Sequence, residues 1–580
     1  MVNGQLRPSF KDACIALGLL SDDNEWHQCL EEAGLMATGH QLRVLFITIL
    51  YECSPSNPRL LWDTHKHRLC DDLRYRLQHR HIREDPSDED VWDYGLFLID
   101  RLLSNFNKSL RDWPDMPQVQ QEWADAIQNP LIARERDYDP VEEAQLAQER
   151  ILLLNLDQRA AFDAIKNAVE SKSGQCFFLH GPGGTGKTYI YNTLCHFLRG
   201  KGLIVICVAS SGIAALLLIG GRTSHSVFKI PIEIHETSVC NIRKNSVLAD
   251  LIRAADLVIW DEAPMQHRHI HEAVNRTFQD IRGSDALFGG LSVVFGGDFQ
   301  QILPVIEKGS RPEIVGACLQ RCHIWSSLQV LHLHQNMRLN VGIEEEKNFA
   351  QWQLDIGHGK HTDELCNIKL LDCMKLEENT VEALTHHIYP GLSNLQLNPP
   401  PYEYFSDRMI LSSRNDDVDD LNNTMLNTFP GEEQTFFSQD SAANDHPDEG
   451  ELMYPAEYLN EINCSGLPLA KLRLKIGCPV MVLRNLNPAE GVCNGTRGIV
   501  KRMSSRVIEI ELISEEHRGK RVFIPRIIHT PSQSQVPFKF ERKQFPLKLC
   551  FAMTINKSQG QSVTHVGLNM KVCDIIFQRQ

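Results

Sequence analysis

No apolar run in this chain is long enough to span a bilayer. The longest, Gly212–Gly221, has ten residues, where a membrane helix needs about 20. The N-terminus lacks the basic-then-apolar layout of a secretory signal. Its 17 cysteines follow no repeating framework, which argues against a disulfide-stapled secreted fold and for a reducing compartment. Paired metal spacing is missing too: Cys318-x3-Cys322-His323 has no second pair nearby, so two thiols on one helix are expected. Excess positive charge is absent, the formal net charge being −15. That argues against nonspecific coating of a polyanion, while leaving room for a local basic groove. Cytosol or nucleus is the expected location, with no membrane partner.

What is present is organised around Cys176–Thr188, CFFLHGPGGTGKT. A short apolar strand pattern breaks into a glycine-rich loop and then into YIYNTLCHFL, apolar at helical spacing. The loop fits G-x-x-x-x-G-K-[ST]. Gly181, Gly183, Gly184 and Gly186, with Thr185 between, let backbone N–H groups converge on phosphate oxygens. The following helix turns its positive end to the same anion. Lys187 is placed to reach the β- and γ-phosphates and the Thr188 hydroxyl to hold Mg²⁺. The expected ligands are therefore ATP and Mg²⁺.

At 580 residues the chain should hold three or four domains. Residues 1–110 show helical periodicity, and residues 111–150 carry ten Asp/Glu against four Lys/Arg, which reads as a solvated linker or exposed helix. Alternating strand and helix patterns over 151–340 predict a parallel sheet covered on both faces. A helical connector is expected over 341–400. A second region of the same kind is expected over 401–490 and 546–580, divided by a β-rich, SH3-like insertion at 491–545. Residues 431–463 hold nine acidic and no basic side chains and are expected as an exposed loop. Residues 497–557 hold thirteen Lys/Arg against five Asp/Glu and are expected to carry a basic face. The fold class is thus α/β, two P-loop-type domains with a helical leader and a small β insertion.

Further polar residues fall at strand ends. Leu257–Glu262 is a buried-strand pattern closing on Asp261 and Glu262, 74 residues after Lys187; the first carboxylate suits Mg²⁺ and the second an attacking water. Ser292–Gln301 ends in a cluster where Gln301 could sense the γ-phosphate, and Arg338 follows another strand pattern. An arginine there would neutralise charge on the transferring phosphoryl group, worth about 10³–10⁵ in rate.

The ordered blocks LNLDQ, GPGGTGKT, ASSGIAA with GGRTSHS, DEAP, GGDFQQILPV, QNMR, GVCNGTRG and FAMTINKSQGQS, over residues 154–562, resemble the Pif-type DNA helicases of superfamily one. Such helicases have tandem RecA-like domains. The leading blocks (GLL-x-DD-x-EW, CLEEA, TGHQLR-x-LF, LCDDL) are similar to the region preceding the helicase of Helitron transposon proteins. The resemblance implies ATP-driven five-prime to three-prime movement on single-stranded DNA, unwinding at duplex junctions, roles in DNA repair, recombination and telomere maintenance, and a nuclear or mitochondrial address. It gives Gln158 an adenine contact, and Ser210, Gly212, Thr223, His225 and Ser226 a place against the DNA strand. Thr554, Lys557, Ser558 and Gln559 fall in the second domain's DNA-coupling block. Family members continue into a segment whose arginine reaches ATP, and here NMKVCDIIFQRQ follows instead. A truncated, transposon-derived, nucleotide-gated DNA-binding protein of weak activity is therefore the alternative expectation. His269-Ile270-His271 and His332-Leu333-His334 lack following paired tyrosines, and no nuclease is expected.

Overall fold

The computed structural model describes residues 23–79, 82–106, 108–121, 123, 129–306, 309–339, 344–360, 368–394, 402–443, 454–464, 466–514, 517–531, 536 and 538–570. The expectation of a lost C-terminal arginine rests on 571–580, which lie outside the described residues, as does the start of the leading blocks.

The first lobe is a six-stranded parallel sheet, built from β1 (Phe177–His180), β2 (Val205–Ala209), β3 (Arg222–Thr223), β4 (Leu257–Asp261), β5 (Ser292–Gly297) and β6 (Gln329–His332) in the order β3-β2-β4-β5-β1-β6. Strand alternation sends Phe178 into one core and Phe177 and Leu179 into the other. The sheet therefore needs helices on both faces. β2, β4 and β5 are buried along their whole lengths, which is why they read as continuous apolar runs. Because all strands run parallel, their C-terminal ends gather the phosphate loop, Asp261 and the Gly-Gly turn on one edge.

The second lobe has a smaller parallel sheet, β7 (Arg408–Ser412) between β18 (Ala552–Thr554) and β19 (His565–Asn569). Between β7 and β18 the chain makes β8 (Glu433–Phe437), β9 (Gln439–Ala443), β10 (Lys471–Lys475), β11 (Pro479–Val482), β12 (Arg497–Met503), β13 (Val507–Leu512), β14 (Arg521–Pro525), β15 (Ile527–His529), β16 (Lys539–Gln544) and β17 (Leu547–Leu549). These form a five-stranded antiparallel sheet, β14-β13-β12-β11-β17, a three-stranded sheet, β15-β16-β9, and a β10-β8 ladder. The β region thus begins well before residue 491.

Three charge-based expectations are corrected. First, the described part of 111–150 is no solvated linker but ends in a helix, Pro140–Leu152, that is exposed on one face. Helix Pro140–Leu152 packs along helix Lys187–Arg199, with Glu143 paired to His196 at 2.8 Å. Buried Glu135 lies 2.9 Å from Arg134, 3.4 Å from Arg222 and 3.8 Å from Arg199. Glu135 is a partner for the buried Arg199 and Arg222, and Glu143 for His196, roles that linear charge counting does not reveal. Second, the described part of the acidic 431–463 stretch contains β8 and β9, and its Asp440 side chain is buried with Arg542 at 2.7 Å, while residues 444–453 lie outside the described residues. Third, most of the cations described in the basic 497–557 segment are engaged in ion pairs. Lys501, Arg502, Arg506, Lys520, Arg521, Lys539, Arg542, Lys543 and Lys548 each lie within ion-pair reach of a carboxylate.

Some of those carboxylates come from the helical leader, whose core is continuous with the β region. Glu25 pairs with Lys543 and with Arg506, Glu32 accepts from Ser505 and Arg506, and His40 meets Glu490 at 2.7 Å. The leader is docked on the β region, far along the chain from its own end.

Candidate nucleotide site and interlobe seam

The phosphate loop leaves β1 and returns as the helix Lys187–Arg199. Gly184 and Gly186 have φ of +86° and +85°, a conformation that L side chains rarely adopt. Space is closed as well: a Cβ on Gly186 would stand 2.5 Å from Gln158 Nε2, and one on Gly184 2.4 Å from Asn336 Oδ1. Lys187 Nζ donates to the Gly181 carbonyl at 2.5 Å, so its ammonium is folded over the loop that would receive phosphate. Thr188 follows on the same first turn, and Thr185 Oγ1 closes the loop onto the Pro182 carbonyl at 2.9 Å. Gly183 has nothing near its Cβ position.

Gln158 lies behind this loop, buried. Its Nε2 donates to the Thr185 carbonyl at 3.0 Å, and its Oε1 accepts from the Asn155 N–H at 3.1 Å in a capping box. The amide expected at adenine is therefore holding the phosphate loop in place.

Asp261 ends β4, almost wholly buried, and burial raises its pKa against the pull of Lys187. Glu262 follows in a left-handed turn, φ +52°, a costly conformation for a non-glycine residue. Ser210 stabilises that turn: its N–H donates to the Asp261 carbonyl at 3.2 Å and its Oγ to the Glu262 carbonyl at 2.6 Å. Burial first, and the Asp261 charge second, push the Glu262 carboxyl up to about 7, with Lys187 opposing. After β5, Gln301 Nε2 donates to Asp298 Oδ2 at 3.3 Å. Arg338, exposed, lies over the loop with its Cδ 3.3 Å from the Gly184 Cβ position, while Met337 N–H donates to the Gly184 carbonyl at 2.8 Å.

The second lobe reaches this cluster through one side chain. Gln559 Nε2 donates at 3.0 Å to Glu262 Oε2 and at 3.0 Å to Gln301 Oε1. Glu262, Gln301 and Gln559 come from three separated sequence blocks and meet at one amide.

Comparisons with known proteins agree with this architecture. Residues 153–366 match the model of the PIF1-like helicase family, and residues 457–503 that of the DNA helicase Pif1 2B domain. Over these residues the chain is similar to the PIF1-like helicases. It is 28% identical over 435 residues to the ATP-dependent DNA helicase Pif1 of Bdellovibrio bacteriovorus, covering 73% of this chain and 82% of that one. With the Pif1 helicase of Psychrobacter sp. the identity is 30% over 448 residues, covering 69% of this chain and 62% of the relative. Among solved structures, that of two coordinating Pif1 helicases at forked double-stranded DNA superimposes with a TM-score of 0.50 and 22% identity, over 72% of this chain and 85% of that one. That likeness concerns the fold.

Within the PIF1-like first lobe, the residues expected against DNA divide into two groups. Ser210 is engaged by the Glu262 turn. Gly212 faces the second lobe, where its Cβ position would stand 2.8 Å from Cys493 Cβ. Ser210 stays half-exposed and Gly212 is buried. Thr223 and Ser224 are buried at the β3 end, and Gln266 Nε2 donates to Ser224 Oγ at 2.8 Å and lies 3.4 Å from His225 Nδ1. Burial lowers the His225 pKa, which favours the neutral ring. Ser226 follows on the same short helix. In the second lobe, Thr554 ends β18, Ser558 Oγ donates to the Ile555 carbonyl at 2.7 Å, and Lys557 Nζ donates to Asn494 Oδ1 at 3.0 Å. Sequence reasoning missed Gln266, whose carbonyl also accepts from Trp260 Nε1 at 3.0 Å. It stands four residues past Glu262 in no periodic pattern. Asn336, inside the QNMR block, carried a signal that could have been used.

Proposed function

We propose that the protein is an ATP-dependent DNA helicase that moves five-prime to three-prime along single-stranded DNA and opens duplex at junctions. The bridge from Gln559 to Glu262 and Gln301 carries this reading. It joins the carboxylate suited to orient the attacking water, and the residue suited to sense the γ-phosphate, to the second-lobe block that holds Thr554, Lys557 and Ser558. Cleavage of the γ-phosphate would change what Glu262 and Gln301 face, and Gln559 would pass that change to the strand-gripping block. Lobe closure and opening then become one coupled cycle. Relatives named ATP-dependent DNA helicases support the same activity.

The donor set fits a divalent cation: Asp261 is a buried carboxylate and Thr188 offers a hydroxyl on the facing helix turn. Mg²⁺ bound there would offset charge on the phosphates. Lys187 would bind and orient the β- and γ-phosphates, Glu262 the water, and Arg338 the charge that develops on transfer. The proposed setting is nuclear genome maintenance or the helicase end of a Helitron-type element, supported by the resemblance of the leading helical region.

The test is ATP hydrolysis with and without single-stranded DNA. A rate raised severalfold by DNA, and lost in Lys187→Ala, is expected; a rate indifferent to DNA would overturn the motor. Strand separation from a five-prime overhang but not a three-prime one checks direction.

A further inference from the structure

Cys322 and His323 do not sit on one helix with Cys318, as their spacing suggested. The helix Arg311–Ala317 ends before Cys318, and Leu319–Arg321 is a separate short turn. This break turns Cys322 and His323 onto the helix Arg268–Arg282, against Glu272. The donor atoms of Glu272, Cys322 and His323 all lie within 4.8 Å of one another. Glu272 Oε1 is 3.4 Å from Cys322 Sγ and 3.2 Å from His323 Nδ1. His269, one turn earlier on the same helix, holds the other carboxylate oxygen at 2.8 Å. Glu272 and Cys322 are 5% and 4% exposed, so the pair is preformed and largely shielded. His323 is exposed beside a cavity of about 440 Å³ that Glu236, His269 and Glu272 line together with Arg268, Arg276 and Arg321.

We propose that Glu272, Cys322 and His323 form a zinc site, with a fourth position open to the cavity and His269 orienting the carboxylate. The spacing carries the argument. Tetrahedral bonds of about 2.0 Å to oxygen, 2.0–2.1 Å to nitrogen and 2.3 Å to sulfur put donor pairs roughly 3.3 Å (N···O) and 3.5 Å (S···O) apart. The observed 3.2 Å and 3.4 Å fall close to both. A thiolate, an imidazole and a carboxylate form a mixed set that suits Zn²⁺ over the all-oxygen cations Mg²⁺ and Ca²⁺. One thiolate and one carboxylate neutralise the ion, so the site carries no net charge into a buried setting. Binding forms a Zn–S bond and releases the Cys322 thiol proton, which the metal-free protein donates to Glu272, to solvent. The ion would tie the helix that follows the Glu262 turn to the segment leading into β6 and Arg338. It would act there as a clip, separate from the nucleotide's own cation.

The full-length protein, expressed with zinc and dialysed, should retain close to one equivalent of Zn²⁺ by elemental analysis. Cobalt substitution should give a thiolate-to-cobalt charge-transfer band. Cys322→Ser should remove that band and lower Zn²⁺ affinity at least about 100-fold, and His269→Ala by about 10–100-fold, as for partners that orient a ligand. His323→Ala changes an exposed side chain and leaves the fold intact, so its loss of metal cannot be blamed on misfolding. No stoichiometric zinc in the wild type, or equal retention in Cys322→Ser and His323→Ala, would overturn the site. Metal content is read without ATP or DNA, so its failure is separate from failure of the helicase reading.

Discussion

Glu262 shows how single residues set the chemistry here. Its left-handed backbone, φ +52°, aims the carboxylate at Gln559 instead of continuing β4. Burial and Asp261 raise its carboxyl to about 7, near the range where a base can accept and return a proton. Glu262→Gln keeps the shape and the Gln559 contact but would lose the proposed base. Single-turnover ATP hydrolysis should fall about 10²–10⁴-fold, with nucleotide affinity nearly unchanged by fluorescence titration. The identities of Lys187, Asp261 and Glu262 were legible because a glycine-rich loop and a strand-terminal carboxylate pair have few other uses. The roles of Ser210 and Gln158 were not, because a hydroxyl or an amide is claimed by whichever backbone group the fold brings near. In this protein those groups are the Glu262 carbonyl and the Thr185 carbonyl.

At the scale of elements, the acidic stretch around β9 shows why local composition misled. Asp440 pairs across the β9–β16 ladder with Arg542, and the two side chains are 2% and 1% exposed. Arg542 also donates to the Leu459, Ile462 and Pro468 carbonyls. Asp440→Ala would leave a buried guanidinium without its counter-charge, at a cost of about 3–5 kcal/mol, read as a lower urea midpoint of the β-region transition. On neighbouring β15, His529 is fully buried and accepts at Nδ1 from Arg484 at 3.4 Å. Burial, then Arg484, lowers its pKa to about 3. The folded state therefore binds fewer protons than the unfolded one, and stability falls as pH drops below the unfolded value near 6.5. At pH 5.5 the loss is about 1.4 kcal/mol, and His529→Gln should remove that share of the acid slope between pH 7.5 and 5.5 in urea titrations.

For the whole molecule, the decisive arrangement is two lobes meeting at the nucleotide edge, with the helical leader docked on the β region. Gln559 is the amide that links the second lobe to both Glu262 and Gln301. Gln559→Ala should leave basal ATP hydrolysis within about threefold of wild type while abolishing its stimulation by single-stranded DNA, since two hydrogen bonds of about 0.5–1.5 kcal/mol each join the lobes there. Paired measurements with and without DNA check this. Local spacing was enough to specify the parallel-sheet lobes, the phosphate loop and the order of the motif blocks. Those rest on apolar period, glycines where φ must be positive, and carboxylates at strand ends. Which charges are neutralised, where the leader docks and which amide spans the lobes emerged from the folded chain alone. Each of these is a contact between residues far apart in the chain, and electrostatic and hydrogen-bond partners are chosen by distance in space.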